Sequence, residues 1–412
     1  MTATCPFSHG YQPLARDELA DPYPSFKRLR DETPVFFDRV TGLWTITRQV
    51  DILAVLKDTA TFSSSSALPT FEPPAEIRDR VPRFPWEESV LLLDDPEHRA
   101  ERKVVQAPFT MRSVNGMAGQ IRALTEELIE PLATGGSIEF VKEFAYPMSL
   151  GVIAQILGIP RERFDLLERG VEAAFLMRGS GLSHEEFIQA CIVFADLYEY
   201  IGELVEERRA ASGDDYVSIM LNTADREGEP ISVEHMITRV WTLIGAGFET
   251  TANQLANGFR ALLERRDQWE LVLDDRSLVD NAVEEMLRHS GLMKRLLRTA
   301  TRDVEVAGVT IPEGAGVALL AGSSNRDEGA YDGDPGEIDV TAKRREHLTF
   351  GKWQHFCVGA PLARLELKIA LETMLDLAPD THVVPEQDPT WRPDIRIQAM
   401  SYLNLRRAGA DA

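Results

Sequence analysis

Three scarcities narrow the field before any motif is considered. Cysteine is nearly absent, with Cys5, Cys191 and Cys357 the only ones in 412 residues. They cannot build a disulfide framework, and no C-x-x-C pair offers a zinc half-site. This usage fits a reducing compartment, so a cytoplasmic protein is expected. Positive charge is also short: 44 Lys and Arg against 66 Asp and Glu leave a net charge of −22. A nucleic-acid binder needs a basic face to displace counterions, so the balance argues against that class. No uncharged apolar run approaches the roughly 18–20 residues of a membrane span. Met1 to Gly10 lack the basic and apolar regions of a signal peptide, so no membrane association is expected. Internal repeats and low-complexity tracts are missing as well.

What remains is ordinary for a folded protein: 44% hydrophobic and 27% charged residues rule out wholesale disorder and rod-like assemblies. The length admits two or three domains, or one large core. Proline punctuates the first hundred residues, and between the prolines Leu43 to Thr47 reads as a strand. Ser63 to Glu88 reads as a long irregular loop, a kind that more often serves function than connection. Helical periodicity runs from about Glu97 to Arg288, broken at Pro160, at Gly213 and at a polar turn over Asp225 to Pro230. Strands return between Val304 and Gly322 around the turn Pro312-Glu313-Gly314. The fold class is mainly α with small β-sheets. The β-rich portions fall near 35–60, 300–325 and the C-terminus, around a helical body of about 97–290.

The longest helix is predicted over Val233 to Arg265, about 45–50 Å of proline-free chain. Its middle, Gly245-Ala246-Gly247-Phe248-Glu249-Thr250-Thr251, is a poor helix-forming sequence, since each glycine costs about 1 kcal/mol relative to alanine. Two readings stand. Either the glycines make a packing notch for a neighbouring backbone, or the helix widens beside a ligand, with Glu249 and Thr250 handling protons. The G-x-G there is no dinucleotide fingerprint, because no strand-turn precedes it and the third glycine is missing.

Phe350 to Gly359 leads straight into a helix with apolar Leu367, Ala370, Leu371 and Met374, so Cys357 lies at or just before a helix N-terminus. Unpaired N–H groups and the macrodipole stabilise a thiolate there. This segment resembles the cysteine-ligand loop of cytochrome P-450 haem-thiolate monooxygenases, F-G-x-G-x-H-x-C-x-G. Ala246 to Thr251 is similar to that family's (A/G)-G-x-(D/E)-T-(T/S) pattern, and Glu285-Met286-Leu287-Arg288 to its E-x-x-R helix. Asp95 to Arg102 looks like its H-x-x-x-R helix. The four motifs occur in register, and the resemblance extends from Asp21-Pro22-Tyr23-Pro24 to the C-terminal strands.

The resemblance implies one haem-thiolate catalytic domain over residues 1–412, with a long helix crossing over haem b (iron protoporphyrin IX). Cys357 would be the axial thiolate ligand, pushing electron density onto iron and favouring O–O cleavage. Thr250 would hydrogen-bond dioxygen at the haem, and Glu249 would help deliver protons to it. His98, Arg102, Arg298 and His355 would pair with the haem propionates. Glu285 and Arg288 would form a buried structural ion pair. Two positions depart from the pattern. Trp353 replaces the loop's second glycine, where left-handed backbone is favoured, so it must tolerate strain or reshape the turn. Glu337 stands where many relatives carry an arginine that joins the E-x-x-R pair.

Asn281 to Gly291 is similar to haem domains of the self-sufficient bacterial subgroup, but no reductase segment follows. Electrons are therefore expected from a separate ferredoxin and its ferredoxin reductase. Lys343, Arg344, Arg345, Lys352 and Arg364 surround the ligand loop, as either a solvated face or a docking patch for an acidic carrier. Leu243, Ala246, Met293, Lys294 and the 63–93 loop would line the substrate cavity. Lys294 and Arg295 either turn outward, or Lys294 reaches the cavity and meets a carboxylate or phosphate on the substrate. The implied activity is insertion of one oxygen atom into a small organic molecule, anionic if Lys294 reaches the cavity, by hydroxylation or oxidative dealkylation. The alternatives are a peroxide-using or ring-coupling haem-thiolate enzyme and a haem-binding protein without turnover.

Overall fold

Pro34 disfavours helix at the residue before it, and the helix Tyr23–Glu32 stops there. The apolar, β-prone sequence Val35-Phe36-Phe37 then starts the first strand. In the computed structural model, which describes residues 10–65, 67, 72–86, 88–177, 182–228, 232–342, 346–385 and 389–408, Val35–Asp38 forms a hairpin with Leu43–Ile46. Gly42, at φ +70°, takes the left-handed turn position. Leu43–Ile46 runs parallel to Gly316–Leu319, which pairs antiparallel with Leu296–Ala300. Phe62–Ser63 completes this five-stranded sheet. Ile46, Ile52, Leu56, Phe62, Ile311, Val317 and Leu319 are buried in its core. A second sheet joins Ser137–Glu139, Asn404–Arg407 and Thr381–Val383.

The chain divides into two compact units. One comprises Met1–Ala67, Ala118–Pro147 and Thr250–Ala412 and holds these sheets. In it the helix Ala360–Leu377 packs against both Ala118–Ala133 and Val279–His289. The other comprises Leu68–Met117 and Met148–Glu249 and is helical. There, Phe164–Met177 lies so close to His184–Ala210 that a Cβ on Gly170 would meet Leu197 at 2.5 Å. The long helix is Val233–Glu264, and its residues up to Glu249 belong to this unit. No helix among the described residues is long and apolar enough to cross a membrane.

The mainly helical reading with small sheets holds, and three details differ. Asp225 to Glu227 continue the helix Tyr216–Glu227, and the turn comes at Gly228, φ +74°. Residues 229–231 of the expected turn lie outside the described residues. The helical body is interrupted by Ser137–Glu139, a strand whose pairing with the distant 404–406 segment no local pattern announces. Helix widening appears as a π-turn at Phe140–Ala145, whereas Val233–Glu264 is α-helical throughout.

Glu366 carries a cost within this core. It lies on Ala360–Leu377, only 2% exposed, and its Oε2 has no hydrogen-bond partner among the described residues. Burial raises its pKa well above the ordinary carboxyl value. The folded chain therefore keeps a proton that the unfolded chain releases above about pH 4.5, and stability falls as pH rises from there. Glu366→Gln should flatten this decline. Urea unfolding at pH 5 and pH 8 should show a smaller loss between the two for the variant than for wild type.

Candidate active site

The cysteine loop is built from unusual backbone. Gly351 sits at φ +65° and Trp353 at φ +53°, followed by a 3₁₀ turn over Trp353–His355. Trp353 thus tolerates the left-handed position, at a cost of roughly 1–2 kcal/mol for a residue with a Cβ. Its indole is 42% exposed, and the Lys352 ammonium lies 5.1 Å from the ring centroid. The Cys357 N–H donates to Phe350 O at 2.9 Å, closing the loop. Cys357 is exposed, two residues before the N-cap Gly359 of Ala360–Leu377. A Cβ on Gly359 would stand 3.9 Å from Sγ, so glycine keeps that flank of the sulfur open. His355 Nε2 and Ser64 Oγ are 3.0 Å apart.

Arg288 anchors the frame behind this loop. Its Nε and Nη2 meet Glu285 at 2.7 and 2.8 Å, and Nη1 donates to Asn325 O and Pro335 O. Nη2 also donates to Glu337 O at 2.8 Å. All five guanidinium N–H groups are therefore used, at 1% exposure. This explains the departure at position 337: backbone carbonyls occupy the donors, while the Glu337 side chain pairs with Arg265. Asn325 carries the frame onward, accepting from Leu348 N–H at 2.7 Å and donating to Thr349 Oγ1 at 2.9 Å. Thr349 donates to Leu287 O at 2.6 Å, and a Cβ on Gly291 would sit 2.6 Å from its hydroxyl. Next to Glu285, Glu284 takes a bidentate pair from Arg364 at 2.6 and 3.0 Å and approaches His347 at 3.3 Å. Burial raises its pKa, but His347 and Arg364 outweigh that and hold it at about 2.

The chain leaving the E-x-x-R helix is tied to the long helix. Gln254 donates to Met286 O and Ser290 O and accepts from Leu292 N–H at 3.0 Å. Asn257 donates to Gln398 O at 2.8 Å. Met293 bridges Ile397, and both cations after it are buried: Lys294 is 5% and Arg295 3% exposed. The outward orientation of both is thereby excluded. Arg295 donates to Tyr11 Oη at 2.9 Å and lies 3.8 Å from Asp38. Arg298, on the strand Leu296–Ala300, is 9% exposed. Of the expected basic patch, Lys343, Arg344 and Arg345 lie outside the described residues, and Lys352 and Arg364 are paired with Glu346 and Glu284.

In the helical unit, His98 and Arg102 lie four residues apart on Glu97–Val105, one turn along the same face. His98 is 2% exposed, with Nδ1 3.7 Å from Asp95. Burial and then the Arg102 charge lower its pKa. Glu101 fixes this helix on the long one through Arg239, with two contacts of 2.8 Å and both residues buried. On the long helix, Leu243 and Glu249 are buried, whereas Ala246 is exposed and Thr250 half-buried. The glycine question resolves toward packing: a Cβ on Gly247 would come 2.7 Å from Ile153. Ser149 donates to the carbonyls of this stretch, at 2.6 Å to Phe248 O and 3.2 Å to Gly247 O.

Residues 174–389 match the family model described as Cytochrome P450. The chain is 31% identical over 411 residues to the cytochrome P450 monooxygenase PikC of Streptomyces venezuelae, covering 97% of this chain and 94% of the relative. The chain belongs to the cytochrome P450 family. Steroid C26-monooxygenase of Mycobacterium tuberculosis is 32% identical over 88% of this P450 and 87% of its own length. The solved structure of cytochrome P450 CREJ in complex with (4-ethylphenyl) dihydrogen phosphate superimposes with a TM-score of 0.88 at 31% identity, covering 97% and 99% of the two chains. The P450 is accordingly a monooxygenase, an oxidoreductase whose cofactor is haem, iron protoporphyrin IX. Its residues fit such a group: one accessible thiol on a flank kept open by glycine suits an iron ligand, and Arg298 and His355 in the same unit suit carboxylates.

Sequence reading missed the polar residues that position this set: Gln254, Asn257, Asn325, Thr349, Ser149 and the Glu101–Arg239 pair. Each looks like any helix or loop residue until its distant partner is known. Arg288→Lys tests the frame, because an ammonium supplies three donors where five are used. It should lower the unfolding free energy by about 3–5 kcal/mol, the usual loss on breaking a buried pair. Urea denaturation at pH 7 measures it.

Proposed function

We propose that this P450 inserts one oxygen atom from dioxygen into a small organic substrate, by hydroxylation or oxidative dealkylation, as one catalytic domain fed by a separate ferredoxin and its reductase. The exposed thiol of Cys357, ahead of a helix N-terminus on a loop closed by its own N–H, is the observation that carries this reading. Haem, when bound, supplies the redox-active iron at which dioxygen is reduced. Cys357 would hold it through its thiolate, with the dipole of Ala360–Leu377 favouring negative charge on sulfur. His98, Arg102, Arg298 and His355 would hold its propionates through charge-assisted hydrogen bonds. Thr250 Oγ1 presents a hydroxyl to the reacting oxygen, and the Glu249 carboxyl passes protons toward it. Leu243, Ala246 and Met293 shape the apolar walls. Glu285 and Arg288 are structural, and their buried pair supports that role. Relatives whose names mention steroids, and CREJ with its aryl phosphate, support a substrate range set by the cavity walls rather than by the shared machinery.

Two measurements test this. Reduced wild-type enzyme under carbon monoxide should give a strongly red-shifted Soret band that Cys357→His abolishes, and oxygen-18 from dioxygen should enter the product. Label absent from a product that still forms would favour a peroxide or coupling route. For the electron donor, Lys352→Glu reverses a cation beside the cysteine loop and leaves Glu346 unneutralised. Reduction by an acidic ferredoxin should slow mainly at low salt, since screening at about 0.15 M ionic strength already damps interactions beyond roughly 8 Å. An unchanged rate at low salt removes Lys352 from the docking surface.

A further inference from the structure

We infer that Lys294 is the anion-holding residue of the substrate site, so that the substrate carries a carboxylate or phosphate on an otherwise apolar body. The inference rests on the monooxygenase reading above and names its substrate class. Among the described residues, no hydrogen bond or ion pair reaches the Lys294 ammonium, although the residue is 5% exposed. Its backbone is fully engaged: the N–H donates to Arg396 O at 2.7 Å, and the carbonyl accepts from Gly322 N–H at 3.2 Å. Of the neighbouring charges, Arg295 and Asp394 are engaged elsewhere. Arg295 is held by Tyr11 and Asp38. Asp394 is held by Arg396 through 2.8 and 3.2 Å contacts and its N–H at 2.7 Å. Glu18 accepts from Ser25 through Oε1, while its buried Oε2 has no hydrogen-bond partner and makes no ion pair with Lys294 among the described residues. A cation buried without a counter-ion is costly, and such groups concentrate where a ligand completes them.

Its position favours substrate as that ligand. Leu292, two residues before it, hydrogen-bonds Gln254, which follows Thr250 by one turn on the same helix face. Burial and the Arg295 charge push the Lys294 pKa down to about 8, with Asp394 and Glu18 opposing. The ammonium therefore remains mostly protonated at pH 7 and is lost above pH 8. The titrating and charged groups around it are Arg295, Asp394, Glu18, Arg396 and Asp38.

Calorimetric titration of the haem-loaded enzyme with decanoate and with its neutral amide, decanamide, tests the inference. Wild type should bind decanoate roughly tenfold more tightly at pH 7, the scale of one charge-assisted contact. Lys294→Met should erase that preference while leaving decanamide binding within about twofold. Lys294→Arg should retain much of it, and raising the pH to 9.5 should weaken it in wild type only. Ligand-free Lys294→Met should melt higher than wild type, because an uncompensated buried charge is gone. Equal losses for both ligands in Lys294→Met, or a wild type that binds neither or both alike, overturns the inference. The carbon monoxide spectrum of the same samples reports separately on Cys357. A normal band with no anion preference refutes the Lys294 assignment alone.

Discussion

The Arg288 guanidinium is the point through which the catalytic loop is held. Five N–H groups converge on one carboxylate and three carbonyls, so the E-x-x-R helix, the stretch around Asn325 and the turn at 335–337 cannot shift independently. Asn325 and Thr349 then carry that rigidity to the residue before Phe350, where the cysteine loop begins. Glu284 does the same for the helix after the cysteine, through Arg364. The sulfur proposed as ligand needs a fixed height and angle, and here both ends of its loop are fixed to one helix of eleven residues.

Buried charge is used in two distinct ways. Where it builds the frame, charge meets charge: Arg288 with Glu285, Arg239 with Glu101, and the half-buried Arg396 with Asp394. Removing one member leaves the other stranded, which is why such pairs act as fixed joints more than as sources of net stability. Glu366 and Lys294 do not follow this pattern. Each is sequestered without an ion pair among the described residues, burial pushing the first toward its neutral form while the second keeps most of its charge at neutral pH.

How much of this was legible in the sequence depended on the range of the interaction concerned. The long helix, the Leu43 strand and the sheet-rich 304–322 segment follow from local periodicity and turn residues, and their boundaries agree closely with the structure. The left-handed backbone at Trp353 followed from the position it occupies in the loop. By contrast, Ser137–Glu139 is a strand only because residues 404–406 lie beside it, and the flat role of Gly247 is visible only once Ile153 is placed against it. The fate of Lys294 and Arg295 was open for the same reason. Two adjacent cations read alike in one dimension, yet one finds Tyr11 and Asp38 and the other makes no hydrogen bond or ion pair through its ammonium among the described residues.

Position 294 also bears on how this protein changes over evolutionary time. The peptide groups on both sides of that residue are pinned by main-chain bonds to Arg396 and Gly322, so its Cα stays put whatever side chain it bears. A single codon change there can swap an ammonium for an aliphatic or amide group without disturbing the scaffold. With Lys294 as the proposed anion holder, chemical preference can diverge between descendants while the cysteine loop and its frame stay intact.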